Sequence, residues 1–339
     1  MAVAVQQIHP VAHLPLVLGV LRRLEVAPVI DRLIPPHPAH VLSSGRGVEA
    51  LVLAILDGDH ALYKVGRRLE ERGLVSLLQP GLTRAALHDY RLGHILDALF
   101  AANLNRVFGA IALKALEVYA ITTPWLHQDT TTIALYGAYE DEPQAPGAPR
   151  PAYGHSKDGR ADLKQVLLSL GVSGDGGLPL RLGVRDGNTS DSVETPLAIE
   201  EYLSLGREGV QGIVADSKAY SRRTLGLCLE KGIGLVTLVP RTCAVRQELE
   251  TWGQQHPALP LLVEKPGRTK DDVCRQWHGQ SVVRQVEVEY SDGRVASEAL
   301  RFVVVHSSQL AQQQAQSYAA AQAKETEAVA DHVRQGHAR

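Results

Sequence analysis

The spacing of apolar residues changes once along this chain, near residue 120, and that change limits the fold more than any other feature. Between His13 and Tyr119 apolar positions recur every three or four residues, with Gly or Pro between blocks. Helices are expected over "LPLVLGVLRRLEVAPVIDRLI", "RGVEALVLAILDG", "HALYKVGRRLEERG" and "TRAALHDYRLGHILDALFAANLNRVFGAIALKALEV". Amphipathic helices bury their apolar stripes on one another, so residues 1–120 are expected to form an all-α domain.

After residue 120 short β-prone runs take over. "WLHQDTTTIALYG" is expected to be a strand ending at Asp129, and "DLKQVLLSLGVSGDGGLPLRLGVRDGN" two strands joined by a turn at Ser173 to Gly177. "SVETPLAIEEYLSLG" then reads as a helix, "VQGIVADS" as a short buried strand, "SRRTLGLCLEKG" as a helix and "IGLVTLVP" as a strand. The Pro- and Gly-rich "EDEPQAPGAPRPAYG" is an excursion within this second domain, which spans residues 121–241. Residues 242–307 are expected to form a β-rich hairpin insertion, and residues 308–339 the start of a C-terminal helical segment with a weak apolar stripe.

Three antiparallel strands, a helix and then a strand ending in an acid follow the plan of an RNase H-like α/β domain. In that plan the first and fourth strands are neighbours. Asp129 would end the first and Asp216 the fourth. Carboxylates at adjacent strand ends repel unless a cation lies between them, and magnesium or manganese favours such oxygen ligands while keeping positions for water and phosphate. Such ions serve phosphoryl transfer on nucleic acid. Asp216 before Ser217 also suits a helix cap, and Asp129 a turn. Thr130 to Thr132 are expected only as β-formers.

Composition adds exclusions. A formal net charge of −2 over 339 residues means that a nucleic-acid partner would be held by local basic clusters. The three cysteines, Cys228, Cys243 and Cys274, show no C-x-x-C pairing, which fits a reducing cytoplasm. No charged-then-apolar leader or bilayer-length apolar run is evident, so no membrane partner is expected. The fourteen histidines include no H-E-x-x-H motif, and "SGDGGLP" lacks the Lys-Ser/Thr of a phosphate loop. Lys64, Arg67 and Arg68 could follow a DNA backbone, but Glu70 and Glu71 dilute them and favour a solvated helix face.

"QDTTT", "YGHSKDGRADLKQVLLSLGVSGDGGLPL", "RDGNTSD" and "IVADSKAY" resemble, in order and spacing, the catalytic core of bacterial insertion-sequence transposases of the DDE type, in the IS-four-like group with a β-strand insertion. "LHDYRLGHILDALF" resembles the end of the helical N-terminal domain of one branch. The resemblance implies that Asp129 and Asp216 are the first two metal-binding acids, using magnesium (or manganese). It also implies that transposon-end and target DNA are the partners, that the chain works as a homodimer on DNA and that the helical domain helps to bind element ends.

Lys157, Arg160 and Lys164, in and after the family's strand-entry segment, are the positions expected to touch DNA phosphates; a solvated charged face is the alternative. The family's third acid sits in a pattern of Tyr, two residues, Arg, three residues, Glu, six residues, Lys. Here Tyr318 and Glu325 have the right separation, but Ala321 and His332 replace Arg and Lys. Glu325 is thus a weak candidate, and the expectation is a truncated copy with feeble catalysis. A DNA-binding remnant without catalysis and an RNase H-like nuclease are the alternatives.

Overall fold

In a computed structural model the chain is described over residues 10–122, 124–139, 147–155, 159–204, 210–266 and 274–336. It is a mixed α/β chain in two units, residues 1–219 with 228–237, and residues 220–227 with 238–339.

The first unit opens with α1 (Leu14–Arg23), α2 (Val26–Leu33), α3 (Ser44–Leu56), α4 (Leu62–Glu71), the short α5 (Val75–Leu78), α6 (Asp89–Ala101) and α7 (Leu104–Tyr119). Their apolar stripes meet in a core that includes Leu14, Leu53, Val65, Leu69, Leu92 and Ile95, all fully buried. Each buried leucine or isoleucine contributes about 1.5–3 kcal/mol. Gly45 lets α3 approach α2: a Cβ there would lie 2.3 Å from the Ala27 carbonyl oxygen. The Asp31 carboxylate accepts the Gly45 N–H at 2.7 Å in the same crossing.

Two of the expected helices are broken. The stretch from Leu14 to Ile34 divides at Glu25, whose φ is 53°. Residues 83–118 divide into a 3₁₀ turn at Arg84–Leu87, then α6 and α7, with the last two axes turning through 88°. Asn103 makes that corner: its φ is 66°, and its side-chain oxygen caps α7 by accepting from the N–H groups of Asn105 and Arg106. Asparagine tolerates the left-handed region and is a strong N-cap, so it can stop one helix and start another despite a continuous apolar pattern.

The sheet of this unit contains β1 (Trp125–Leu135), β2 (Lys164–Ser173), β3 (Pro179–Asp186), β4 (Gly212–Ala215) and β5 (Gly234–Val236), in the order β3-β2-β1-β4-β5. The first three strands pair antiparallel, whereas β1–β4 and β4–β5 are parallel, as the expected strand plan requires. Between β3 and β4 runs α8 (Asp191–Ser204), and between β4 and β5 runs α9 (Arg222–Lys231). Along β1, Leu126, Gln128, Thr130 and Thr132 are buried, while His127, Asp129 and Thr131 are exposed. α8 packs on β1, β2 and β3, and α7 packs on β3.

One expectation about β1 is corrected. The strand does not end at Asp129 but runs on to Leu135, because β2 continues to pair with it as far as Leu135↔Lys164. It is the pairing with the shorter β4 that stops, at Gln128↔Ala215.

In the second unit α10 (Ala244–Gln255) precedes β6 (Leu261–Lys265), β7 (Arg275–Glu289) and β8 (Val295–Ser307), an antiparallel sheet in the order β6-β7-β8. The hairpin expectation missed α10, where Val245, Leu249 and Trp252 supply helical spacing and Leu249 is buried. The last helix is α11 (Ser308–Gly336), exposed throughout residues 312–329, as its weak stripe implied. Among the described residues no single helix is long and apolar enough to cross a bilayer.

Candidate functional site

Parallel pairing carries β1 and β4 from Trp125↔Gly212 to Gln128↔Ala215, and the next residue on each strand is an aspartate: Asp129 on one, Asp216 on the other. Both are exposed. Each carboxylate is turned by a nearby backbone N–H: Asp129 Oδ1 accepts from Thr130 N at 2.7 Å, and Asp216 Oδ1 from Lys218 N at 3.1 Å. The Thr237 hydroxyl donates to the Asp216 carbonyl, which links the end of β4 to the residue after β5.

Two further residues complete the constellation, and sequence reasoning gave neither a role. Lys218, two residues beyond Asp216, donates to Asp191 Oδ2. That bond comes first in raising the lysine's pKa; burial opposes it, and the charges of Asp191, Asp216 and Asp129 add to it. Asp191 is buried at the start of α8, where its Oδ1 accepts the Thr130 hydroxyl at 2.6 Å. Thr130 is therefore more than a β-former. Both residues lay in stretches already singled out, "RDGNTSD" and "IVADSKAY", but only the folded chain brings them together.

The site rests on a polar layer between the sheet and α8. Arg181 donates to the Ser169 hydroxyl at 2.8 Å and to Glu194 at 2.7 Å, and Ser169 also accepts from Gln128 at 2.8 Å. Arg185 and Glu201 extend the network, with Arg185 donating to Glu194 at 2.7 Å and to Glu201 at 2.6 Å. Arg181 and Glu194 are 5% and 0% exposed, so the pair survives only because nearly every polar atom is bonded. Burial disfavours charge on Glu201, but Arg181 and Arg185 outweigh it and hold its carboxyl below the usual range. Beside this layer the turn before α8 needs glycine: a Cβ on Gly187 would lie 1.9 Å from the Gln165 carbonyl oxygen.

The expected DNA-contact residues fare differently. Lys157 lies outside the described residues. Arg160 forms a two-point ion pair with Asp162, at 2.8 Å and 2.7 Å, and its guanidinium sits 5.7 Å from the Tyr136 ring centroid. That pairing raises the arginine's pKa and lowers that of Asp162. Lys164 donates to the Tyr139 carbonyl. In the helical domain Lys64 pairs with Asp59, Arg67 with Glu71, and Arg68 with Asp57 and Glu71, so that face is largely neutralised. Glu325 is an exposed residue of α11 in the second unit.

As metal ligands, Asp129 and Asp216 offer hard carboxylate oxygens of the kind that magnesium or manganese takes. Among the described residues no group of three or more His, Cys, Asp or Glu side chains is placed to hold a metal ion. A metal ion held there would draw on at most these two carboxylates among the described residues and would take its other ligands from water or phosphate oxygens.

A model for a domain of unknown function, DUF4277, matches residues 6–113, a span that includes α1 to α6 and the first part of α7. No curated protein matches the chain. Among solved structures, a Mos1 transposase paired-end complex with left transposon end is similar at 10% identity and a TM-score of 0.22, covering 62% of this chain and 65% of that one. The chain thus spans just under two thirds of the solved transposase chain that it matches.

Proposed function

We propose that this chain is a DDE-type DNA transposase of the insertion-sequence kind, of the IS-four-like group, acting on DNA as a homodimer with magnesium or manganese. The observation that carries the reading is the register of β1 against β4, which ends at Gln128↔Ala215, one residue before Asp129 and Asp216. The strand order β3-β2-β1-β4-β5, with its antiparallel and parallel halves, supports an RNase H-like catalytic sheet.

Asp129 and Asp216 would hold the ion, which supplies activation of an attacking oxygen and charge stabilisation at a phosphodiester. Thr130 and Lys218 orient these carboxylates through their backbone N–H groups. The Lys218 ammonium, fixed by buried Asp191, offsets part of the negative charge at the site and can meet a DNA phosphate. Arg160 and Lys164 would join it only by exchanging Asp162 and the Tyr139 carbonyl for DNA.

Magnesium-dependent nicking and strand transfer on DNA bearing the element's ends tests the reading: with two carboxylates and no third among the described residues the expected rate is low, and absence of both over a range of metal concentrations refutes it. One observation favours a second reading, a DNA-binding protein without catalysis: among the described residues no third carboxylate joins the pair. In that case Asp129→Ala and Asp216→Ala leave DNA affinity unchanged and the parent does not nick.

A further inference from the structure

A lysine is locked beside the two aspartates of the proposed site. Lys218 lies in a single 3₁₀ turn, Ser217–Ala219, that leaves the end of β4 and packs on α8. Its backbone is held on both sides. The Lys218 N–H donates to Asp216 Oδ1 at 3.1 Å, and the next N–H, that of fully buried Ala219, donates to the Asp216 carbonyl at 3.1 Å.

The side chain is held as well. Its ammonium donates to Asp191 Oδ2, while Asp191 Oδ1 accepts the Thr130 hydroxyl at 2.6 Å. The Asp191 side chain is only 7% exposed, and a buried carboxylate is costly without a cation beside it. Moving the lysine away would strand that charge, so the ammonium stays. With one oxygen engaged by Thr130 and the other by Lys218, Asp191 is a tether and not a third ligand, which agrees with the lack of a three-residue metal cluster among the described residues. The Lys218 side chain is still half exposed, and an ammonium has three donors, of which Asp191 takes one.

The carboxylates whose charges act on this ammonium are those of Asp191, Asp216 and Asp129. Three carboxylates and one ammonium leave two negative charges, which one divalent ion cancels. A second divalent ion would have to enter beside a fixed like charge that cannot withdraw. Sites that cleave phosphodiesters with two ions set positive charge against both the attacking and the leaving oxygen. Here one positive charge is already part of the chain.

We infer that Lys218 stands in for a second metal ion, so that the site takes one divalent cation and one fixed ammonium. The inference rests on the proposed reading of Asp129 and Asp216 as metal ligands, and goes beyond it in fixing the number of ions and the side chain that supplies the remaining charge.

The test is manganese binding to the full chain, followed by loss of the free-ion electron paramagnetic resonance signal. It is run with and without a short DNA duplex, the ions bound by the duplex alone being subtracted. The parent is expected to take one ion per chain in both conditions, and Asp129→Asn to lose it. Lys218→Met is expected to hold the ion about tenfold more tightly, because a like charge has gone, and to nick DNA more slowly. Lys218→Arg keeps the charge and is expected to keep the parent's affinity for manganese. Should Lys218→Met fail to fold, Lys218→Met with Asp191→Asn removes both charges of the buried pair; it is expected to keep one ion and to lose nicking, whereas a merely structural tie would leave nicking intact and overturn the inference. Two ions in the parent, or an affinity in Lys218→Met equal to the parent's, also overturns it. Two ions with nicking would leave the catalytic reading standing, while one ion, held more tightly in Lys218→Met, with no nicking by the parent supports the inference and removes the catalytic reading alone. A parent that binds no ion overturns both.

Discussion

The Thr130 hydroxyl donates to Asp191 Oδ1 at 2.6 Å, so the residue after Asp129 is tied to the first turn of α8. Because Asp191 also accepts from Lys218, this one buried carboxylate joins the β1 and β4 sides of the site. Thr130→Val keeps the shape of the side chain and removes the donor. It is expected to cost about 1–2 kcal/mol in urea unfolding, since a buried acceptor loses a partner. Asp191→Asn is expected to weaken nicking, because the Lys218 ammonium loses the charge that fixes it. Full activity and unchanged stability in both variants would show that the tie is incidental.

How far the sequence spoke for this arrangement depends on what each residue needs. Asp129 and Asp216 were legible because alternation and strand order are local patterns that place two strand positions together. Asp191 and Lys218 were not, since their importance lies in a contact across 27 residues that no spacing rule reports. The corner at Asn103 was hidden by apolar residues continuing on both sides of it, and only its own cap geometry reveals the break. Trp252 and Leu249 marked α10 at helical spacing, but the Pro, Gly and mixed charge around it drew attention to the hairpin beyond. Arg160 shows another thing that spacing does not report: Asp162, two residues on, accepts from its Nε and Nη2, so the guanidinium is already engaged within the chain.

Arg181→Met is expected to destabilise the first unit by about 3–5 kcal/mol, because it leaves Glu194, which is 0% exposed, without its principal counter-charge. Adding Glu194→Leu is expected to recover much of that loss, since an apolar pair of similar volume needs no compensating charge. Chemical denaturation of the two single variants and the double variant gives the coupling. A double variant as unstable as the sum of the singles would mean that Arg185 and Glu201 cannot re-form their own pair without the buried one.

Glu201 links this network to pH. Its folded pKa lies below the ordinary 4.5, so its contribution is complete above that value and is lost as pH falls through the lowered one. Glu201→Gln should therefore melt at a lower temperature than the parent at pH 7, with the gap narrowing as the solution is taken well below pH 4.5. A constant gap across that window would assign the loss to packing rather than to charge.

The number of acids needed for catalysis can be settled by comparing Asp129→Asn, Asp216→Asn and Glu325→Gln in one magnesium-dependent nicking assay. Asp129 and Asp216 are exposed, and both follow the last paired positions of β1 and β4, so neutralising either should abolish nicking with little change in melting temperature. The two carboxylates are the proposed ligands, and removing one charge weakens metal and phosphodiester binding together. Glu325 stands on a helix exposed from residue 312 to 329, in a segment where Ala321 and His332 occupy the positions that the family pattern gives to Arg and Lys. Its substitution is expected to leave the rate unchanged. A loss as deep as that of either aspartate would instead make Glu325 the third ligand. Manganese titration of the same three variants separates these cases without relying on turnover, because a true ligand weakens metal affinity and a bystander does not.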